Sequence, residues 1–123
     1  MIKAYGNVWR AELTVGTMQG YDGPEVIRPQ DMIKFIETFQ RDHIREWFPT
    51  IVWSRGTVIG PTFKTETVIK ISLESNPLYS PDASDTDVLN YAVDLAAYLG
   101  KELAQVRVYV ALYQVACAIV EQP

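Results

Sequence analysis

Four stretches of this chain set polar residues against apolar ones at a period of two, the mark of strands with one buried face. In Lys3–Val15 the apolar side is Trp9, Ala11, Leu13 and Val15, with Arg10, Glu12 and Thr14 between them. Ile51–Val58 and Thr65–Leu73 repeat the pattern. Val106–Val120 carries it to about three times the usual strand length of five or six residues. On the polar side of these runs stand Arg10, Glu12, Thr14, Trp53, Arg55, Glu66, Lys70, Ser72, Arg107, Tyr109 and Tyr113. The alternation therefore predicts a sheet with one buried face and one face of mixed charge and aromatic rings.

Between the strands the period becomes helical. Pro29 suits a first helical position, and Met32, Ile33, Phe35, Ile36, Phe39, Gln40, His43, Ile44 and Trp47 then line one side. Lys34, Arg41 and Arg45 point away, and Pro49 ends the helix. Gly60 and Pro61 mark a hairpin between the second and third strands. Ser84 and Asp87 resemble a capping box, with Asp in the place of the usual Glu or Gln. The second helix puts Val88, Leu89, Ala92, Val93, Ala96 and Leu99 on one face, and Gly100 is expected to be its C-terminal cap.

The order β-α-β-β-α-β predicts an α+β fold, the ferredoxin-like split βαβ sandwich, as one domain over residues 1–123. Two helices would cover one face of a four-stranded antiparallel sheet of order 4-1-3-2. Taking strands one and three as parallel, this reading expects the long loops Gly16–Arg28 and Glu74–Ala83 to leave from one end. Thr14, Trp53, Ser72 and Arg107 would gather there, under a rim with Tyr21, Asp22, Arg28, Tyr79 and Asp82.

Composition narrows the function classes. Of 123 residues, 48% are hydrophobic and 21% charged, the balance of a soluble globular domain. A net charge of −4 argues against a nucleic acid polymer as partner. Neither a signal peptide nor an apolar run of membrane-spanning length stands out, so the expected location is the cytoplasm, without membrane contact. The single cysteine, Cys117, excludes an intrachain disulfide; among small aliphatic neighbours it reads as a packing residue. His43, the lone histidine, falls in the apolar stripe of the first helix and reads as half-buried and bonded to backbone. Glu12 and Glu66 read as ion-pair partners, Glu12 with Lys70 and Glu66 with Arg10. Tyr91 and Tyr98 are expected to pack at the flank of the second helix. No catalytic residue, metal ligand set or cofactor is expected.

The remaining chemistry is that of a binding site. Arg107 offers a planar fork of donors to a phosphate or carboxylate. Trp53 and Tyr109 offer flat rings for stacking. Thr14, Tyr21, Arg28 and Ser72 complete the candidate ligand-binding set. Backbone amides near Gly16, Gly20 and Gly23 offer close approach to an anion, although their spacing matches neither the dinucleotide fingerprint nor the P-loop. The last strand falls at a sheet edge and lacks Pro or charge between Tyr109 and Val120, so self-association through Tyr113–Val120, the open sheet face, or both is expected.

Phe48-Pro-Thr, Arg55-Gly-Thr-Val and Glu66-Thr-Val-Ile-Lys-Ile together resemble a pattern of small bacterial and phage ferredoxin-like domains, among them phage anti-Thoeris proteins that sequester cyclic ADP-ribose signals. Pro49-Thr50 stands where that pattern has a double glycine. The resemblance covers about a third of the chain. It implies a non-catalytic homo-oligomer that holds a small anionic, nucleotide-like ligand in an anti-defence role. Two other readings stay open: a small dimeric α+β enzyme with a pocket between sheet and helices, and a partner-docking protein that uses the open sheet face.

Overall fold

Alternation along the strands and the 3.6-residue period between them resolve into two layers in a computed structural model of the chain. It describes residues 2–17, 28–43, 49–61, 65–75, 83–105 and 107–122. The elements are β1 (Ile2–Gly16), a 3-10 turn (Pro29–Asp31), α1 (Met32–Asp42), β2 (Thr50–Ile59), β3 (Thr65–Glu74), α2 (Asp85–Glu102) and β4 (Val108–Val120). One sheet of order β2-β3-β1-β4 holds all four strands, every neighbouring pair antiparallel. This is the expected 4-1-3-2 order and the expected α+β class. No helix among the described residues is long and apolar enough to cross a membrane.

The core follows from the odd-numbered positions of β1 and β3. Ala11, Leu13 and Val15 lie opposite Leu73, Ile71 and Ile69, and all six are fully buried. Met32, Ile36 and Phe39 of α1 and Val88, Ala92, Leu95 and Leu99 of α2 cover them. Each large aliphatic chain so buried contributes about 1.5–3 kcal/mol. The two helices meet through rings: Phe39 packs edge-on against Tyr91 at 5.4 Å and tilted against Tyr98 at 5.6 Å. Tyr91 is wholly buried rather than at a flank. Burial raises the Tyr98 phenol above its usual value, and the carboxylates of Glu102 and Asp42 add to this.

Several boundaries differ from the sequence reading. The capping box forms as expected: Asp87 N donates to Ser84 Oγ at 3.2 Å and Ser84 N donates to Asp87 Oδ2 at 3.0 Å. Gly100, however, does not cap α2. The helix runs on to Glu102, and Ala104 takes the left-handed conformation at φ 51°. Gln105 N then donates to Gly100 O at 2.8 Å and Ala104 N to Lys101 O, the pair of bonds that closes a Schellman end. The buried side chain of Leu103 draws the chain one turn further. His43 is exposed rather than half-buried; its ring stacks on Phe39 at 4.2 Å and its Nδ1 lies 3.0 Å from Phe39 O. The expected continuation of α1 through Ile44 and Trp47 lies outside the described residues.

The chain direction corrects the expected gathering of loops. β1 and β3 are antiparallel neighbours, not parallel ones. The connection leaving β1 and the connection leaving β3 therefore depart from opposite ends of the sheet. β4 begins at the end where β1 finishes, because Val108 faces Val15. β2 begins at the other end, because Thr50 faces Glu74, which faces Arg10. Beyond that end β3 stops: Ser75 N donates to Trp9 O at 3.1 Å and Trp9 N to Ser75 Oγ at 3.2 Å, closing the ladder. β1 and β4 continue alone as a two-stranded ribbon that reaches Ile2 opposite Val120.

Candidate functional site

Register across the four strands sorts the polar residues into rows. On the face away from the helices, one row runs Thr50–Glu74–Arg10–Tyr113, the next Val52–Ser72–Glu12–Ala111 and the third Ser54–Lys70–Thr14–Tyr109. Trp53 is not among them. It pairs with Ile71, a core residue, so Ile51, Trp53 and Arg55 share the helix side of β2. There Trp53 lines an open groove of about 340 Å³ with Ile33, Ile36, Glu37, Gln40 and Ile51. The expectation that Trp53 joins Thr14, Ser72 and Arg107 is thus corrected in face: along the strands it stands in the Leu13 row, between those of Ser72 and Thr14, but on the opposite side of the sheet.

The charges of the open face are largely spent on one another. Arg10 donates to Glu74 Oε2 from Nε at 2.7 Å, with Nη2 at 2.6 Å from the same oxygen. Its guanidinium lies 5.9 Å from the Tyr113 ring centroid. The hydrogen bond it donates to Glu74, with help from Tyr113, raises the Arg10 pKa above its ordinary value against a smaller opposing effect of burial. Arg10 thus pairs with Glu74 and not with Glu66, because Glu74 is its register partner. The expected pair of Glu12 with Lys70 forms: Lys70 Nζ donates to Glu12 Oε1 at 3.1 Å and to Thr14 Oγ1 at 2.8 Å. Thr14 is therefore already engaged, while Tyr109 beside it is 65% exposed.

A different arrangement closes the end where β1 finishes. Gly16 is buried, and a Cβ there would meet the Glu66 carboxylate and, at 2.6 Å, Gln105 Oε1. Glycine lets both oxygens sit close over the backbone there; a side chain would make the two flexible ends shift aside. Gln105 is held by its backbone bond to Gly100 and by Nε2 donating to Leu103 O at 3.2 Å, which turns its amide oxygen toward Gly16. Thr17 fixes the strand end, its N and Oγ1 both donating to Thr67 O at 3.2 Å. Arg107 directly precedes Val108, the partner of Val15, and so stands next to Gly16 with an exposed side chain. The carbonyl end of α2 arrives at the same place and adds partial negative charge. Two convergent acceptor oxygens under a helix C-terminus suit a donor-rich or cationic group; Arg107 beside them suits a carboxylate or phosphate.

Of the sequence candidates, the structure brings Thr14, Arg107 and Tyr109 to this end, with Ser72 one row further along the open face. Arg28 is exposed and donates from Nε to Asp31 Oδ2 at 3.1 Å. Tyr21 lies outside the described residues, as do Asp22, Tyr79 and Asp82. Sequence reasoning gave Glu66 to an ion pair and passed over Gln105. The signal for both was Gly16, a glycine closing an otherwise well-formed strand.

No family model matches the chain, and no curated protein matches it. Solved structures do. A phage SAM lyase in complex with S-methyl-5'-thioadenosine superposes with a TM-score of 0.64 at 20% identity, over 98% of this chain and 96% of that one. A phage SAM lyase in the apo state gives 0.65 at 18% identity, over 99% and 97%. The fold is thus shared from end to end with phage proteins. That similarity does not single out the anti-Thoeris proteins.

Proposed function

We propose that this chain binds a small nucleoside-type ligand carrying both charge signs, of which SAM (S-adenosylmethionine) is the leading instance, at the Gly16 end of the sheet. The observation that carries the reading is the pair of acceptor oxygens, from Glu66 and Gln105, converging over Gly16. A sulfonium or ammonium group meets the Glu66 carboxylate by charge attraction. An amino group or ribose hydroxyl donates to Gln105. Arg107 takes the ligand carboxylate, and Tyr109 offers an exposed ring to the base. The end-to-end fold similarity to a phage SAM lyase, one structure of which holds S-methyl-5'-thioadenosine, supports this ligand class. A ligand with a cationic part replaces the purely anionic one expected from sequence. Binding it fits a phage anti-defence role in which a small molecule is withdrawn from the host.

The same similarity favours a second reading, in which the bound ligand is also cleaved. Calorimetry with SAM and with S-methyl-5'-thioadenosine, followed by mass spectrometry of the incubated SAM, separates the two. Intact SAM supports sequestration, and release of S-methyl-5'-thioadenosine supports lyase chemistry. Glu66→Gln is expected to weaken SAM binding by about tenfold or more, equal to about 1.4 kcal/mol. Absence of heat and of turnover with both compounds would reject the ligand assignment.

A further inference from the structure

The outer flank of α2 and the free edge of β4 form one continuous apolar face. Tyr91 and Tyr98 point α2 toward Phe39 of α1. At 100° per residue, Leu89, Val93, Ala96 and Gly100 then fall on the opposite flank, above the outer side of β4. Leu89 is 38% exposed and Val93 48%. The charged residues Asp87, Asp94 and Glu102 fall on other sides of the helix, while Asp85 and Lys101 bound the flank at its two ends. Towards its C-terminus the flank opens into a groove of about 300 Å³, lined by Ala96, Ala97, Gly100, Lys101, Gln105 and Val108. Below it, β4 pairs with β1 along one edge only. Its thirteen residues, VYVALYQVACAIV, contain no charge and no proline. Single-copy proteins usually blunt such an edge.

We propose that a second copy of the chain seats on this face, with two β4 strands joined antiparallel edge to edge and two α2 helices packed antiparallel above them. The order of side chain sizes along α2 identifies the occupant. Large residues, Leu89 and Val93, occupy the first half of the flank and small ones, Ala96, Ala97 and Gly100, the second. Reversing the helix places large against small twice over, so the surface is complementary to itself. The strand edge is complementary in the same sense, since antiparallel pairing of two identical strands obeys a two-fold axis. Alternation also puts Ala116 and Ala118, exposed in a single copy, on the helix side of β4, facing a neighbour's α2 flank.

Magnitude sets the expected strength. Eighteen residues of α2 span about 27 Å, and a helix layer on a strand layer is about 20 Å deep, giving on the order of 500 Å² per copy. Standard stable interfaces bury about 800 Å² per partner, so a dimer in the micromolar range is expected.

Light scattering on the size-fractionated full chain tests this without any ligand, so its outcome is independent of the SAM reading. At roughly 50 µM the mass is expected at twice the 13.9 kDa of one chain. Val93→Glu and Ala97→Glu alter residues exposed in a single copy and should keep the circular dichroism of the fold while raising the dissociation constant about tenfold or more. Lys34→Glu, at an exposed position of α1, should leave the mass unchanged. A wild-type monomer, an odd number of copies, or an assembly indifferent to both substitutions would overturn the proposal.

Discussion

Ala104 shows how a helix end is decided by more than its glycine. Sequence places the cap at Gly100, since glycine there offers the left-handed conformation at no steric cost. Leu103 is buried, however, so the chain stays helical until that side chain is seated, and the reversal falls on Ala104 at φ 51°. Burial of one leucine outweighs the roughly 1 kcal/mol that an alanine loses in this conformation. Ala104→Gly is accordingly expected to stabilise the fold by about 0.5–1 kcal/mol, read as a higher urea midpoint at unchanged slope. The same scale governs Gly16. Its lack of a side chain was visible in the sequence, but the reason was not: Glu66 and Gln105 come from positions distant in the chain, and no local pattern couples them.

At the level of elements, β2 is where the alternation misleads. The strands β1 and β3 are central and buried on one side, so their parity is unambiguous. β2 lies at the edge and carries apolar residues on both faces, with Ile51 and Trp53 half-buried beside Val52 at 63% exposure. Reading Trp53 with the polar set followed from its neighbour Arg55, which shares its face without sharing its burial. The corrected placement has a measurable sign. Trp53→Ala is expected to cost roughly 2 kcal/mol of stability, less than the 3–5 kcal/mol of a fully buried aromatic because its groove is open, and to leave SAM affinity unchanged. A large loss of affinity with normal stability would return Trp53 to the binding site. The second helix was legible throughout its first half, because the capping box and the apolar face are both local in sequence.

For the whole molecule, class and strand order were legible from element order alone, since few topologies satisfy right-handed crossovers. The placement of the candidate site was not. It depends on which strand ends coincide, and one error of direction, taking β1 and β3 as parallel, put the connection leaving β3 at the end where β1 finishes, while an error of parity put Trp53 on the open face. Arg107 and Tyr109 survive that correction because β4 does begin beside the end of β1. The paired charges in the middle of the open face were legible as a set, though their partners shifted: Arg10 and Glu74 instead of Arg10 and Glu66.

The β1–β4 ladder joins Ile2 to Val120, and this has a consequence in time as well as in space. β1 is synthesised long before β4, the strand it needs in order to take its central place. At about 5–20 residues per second, β1 waits on the order of ten seconds with its β4 edge bare, although β3 can cover the other edge sooner. Closing so long a loop costs entropy before its contacts form, so refolding in stopped-flow fluorescence is expected on the slow, millisecond-to-second side of two-state domains. A submillisecond phase that accounts for the whole amplitude would show that the ends meet before the rest of the sheet is built.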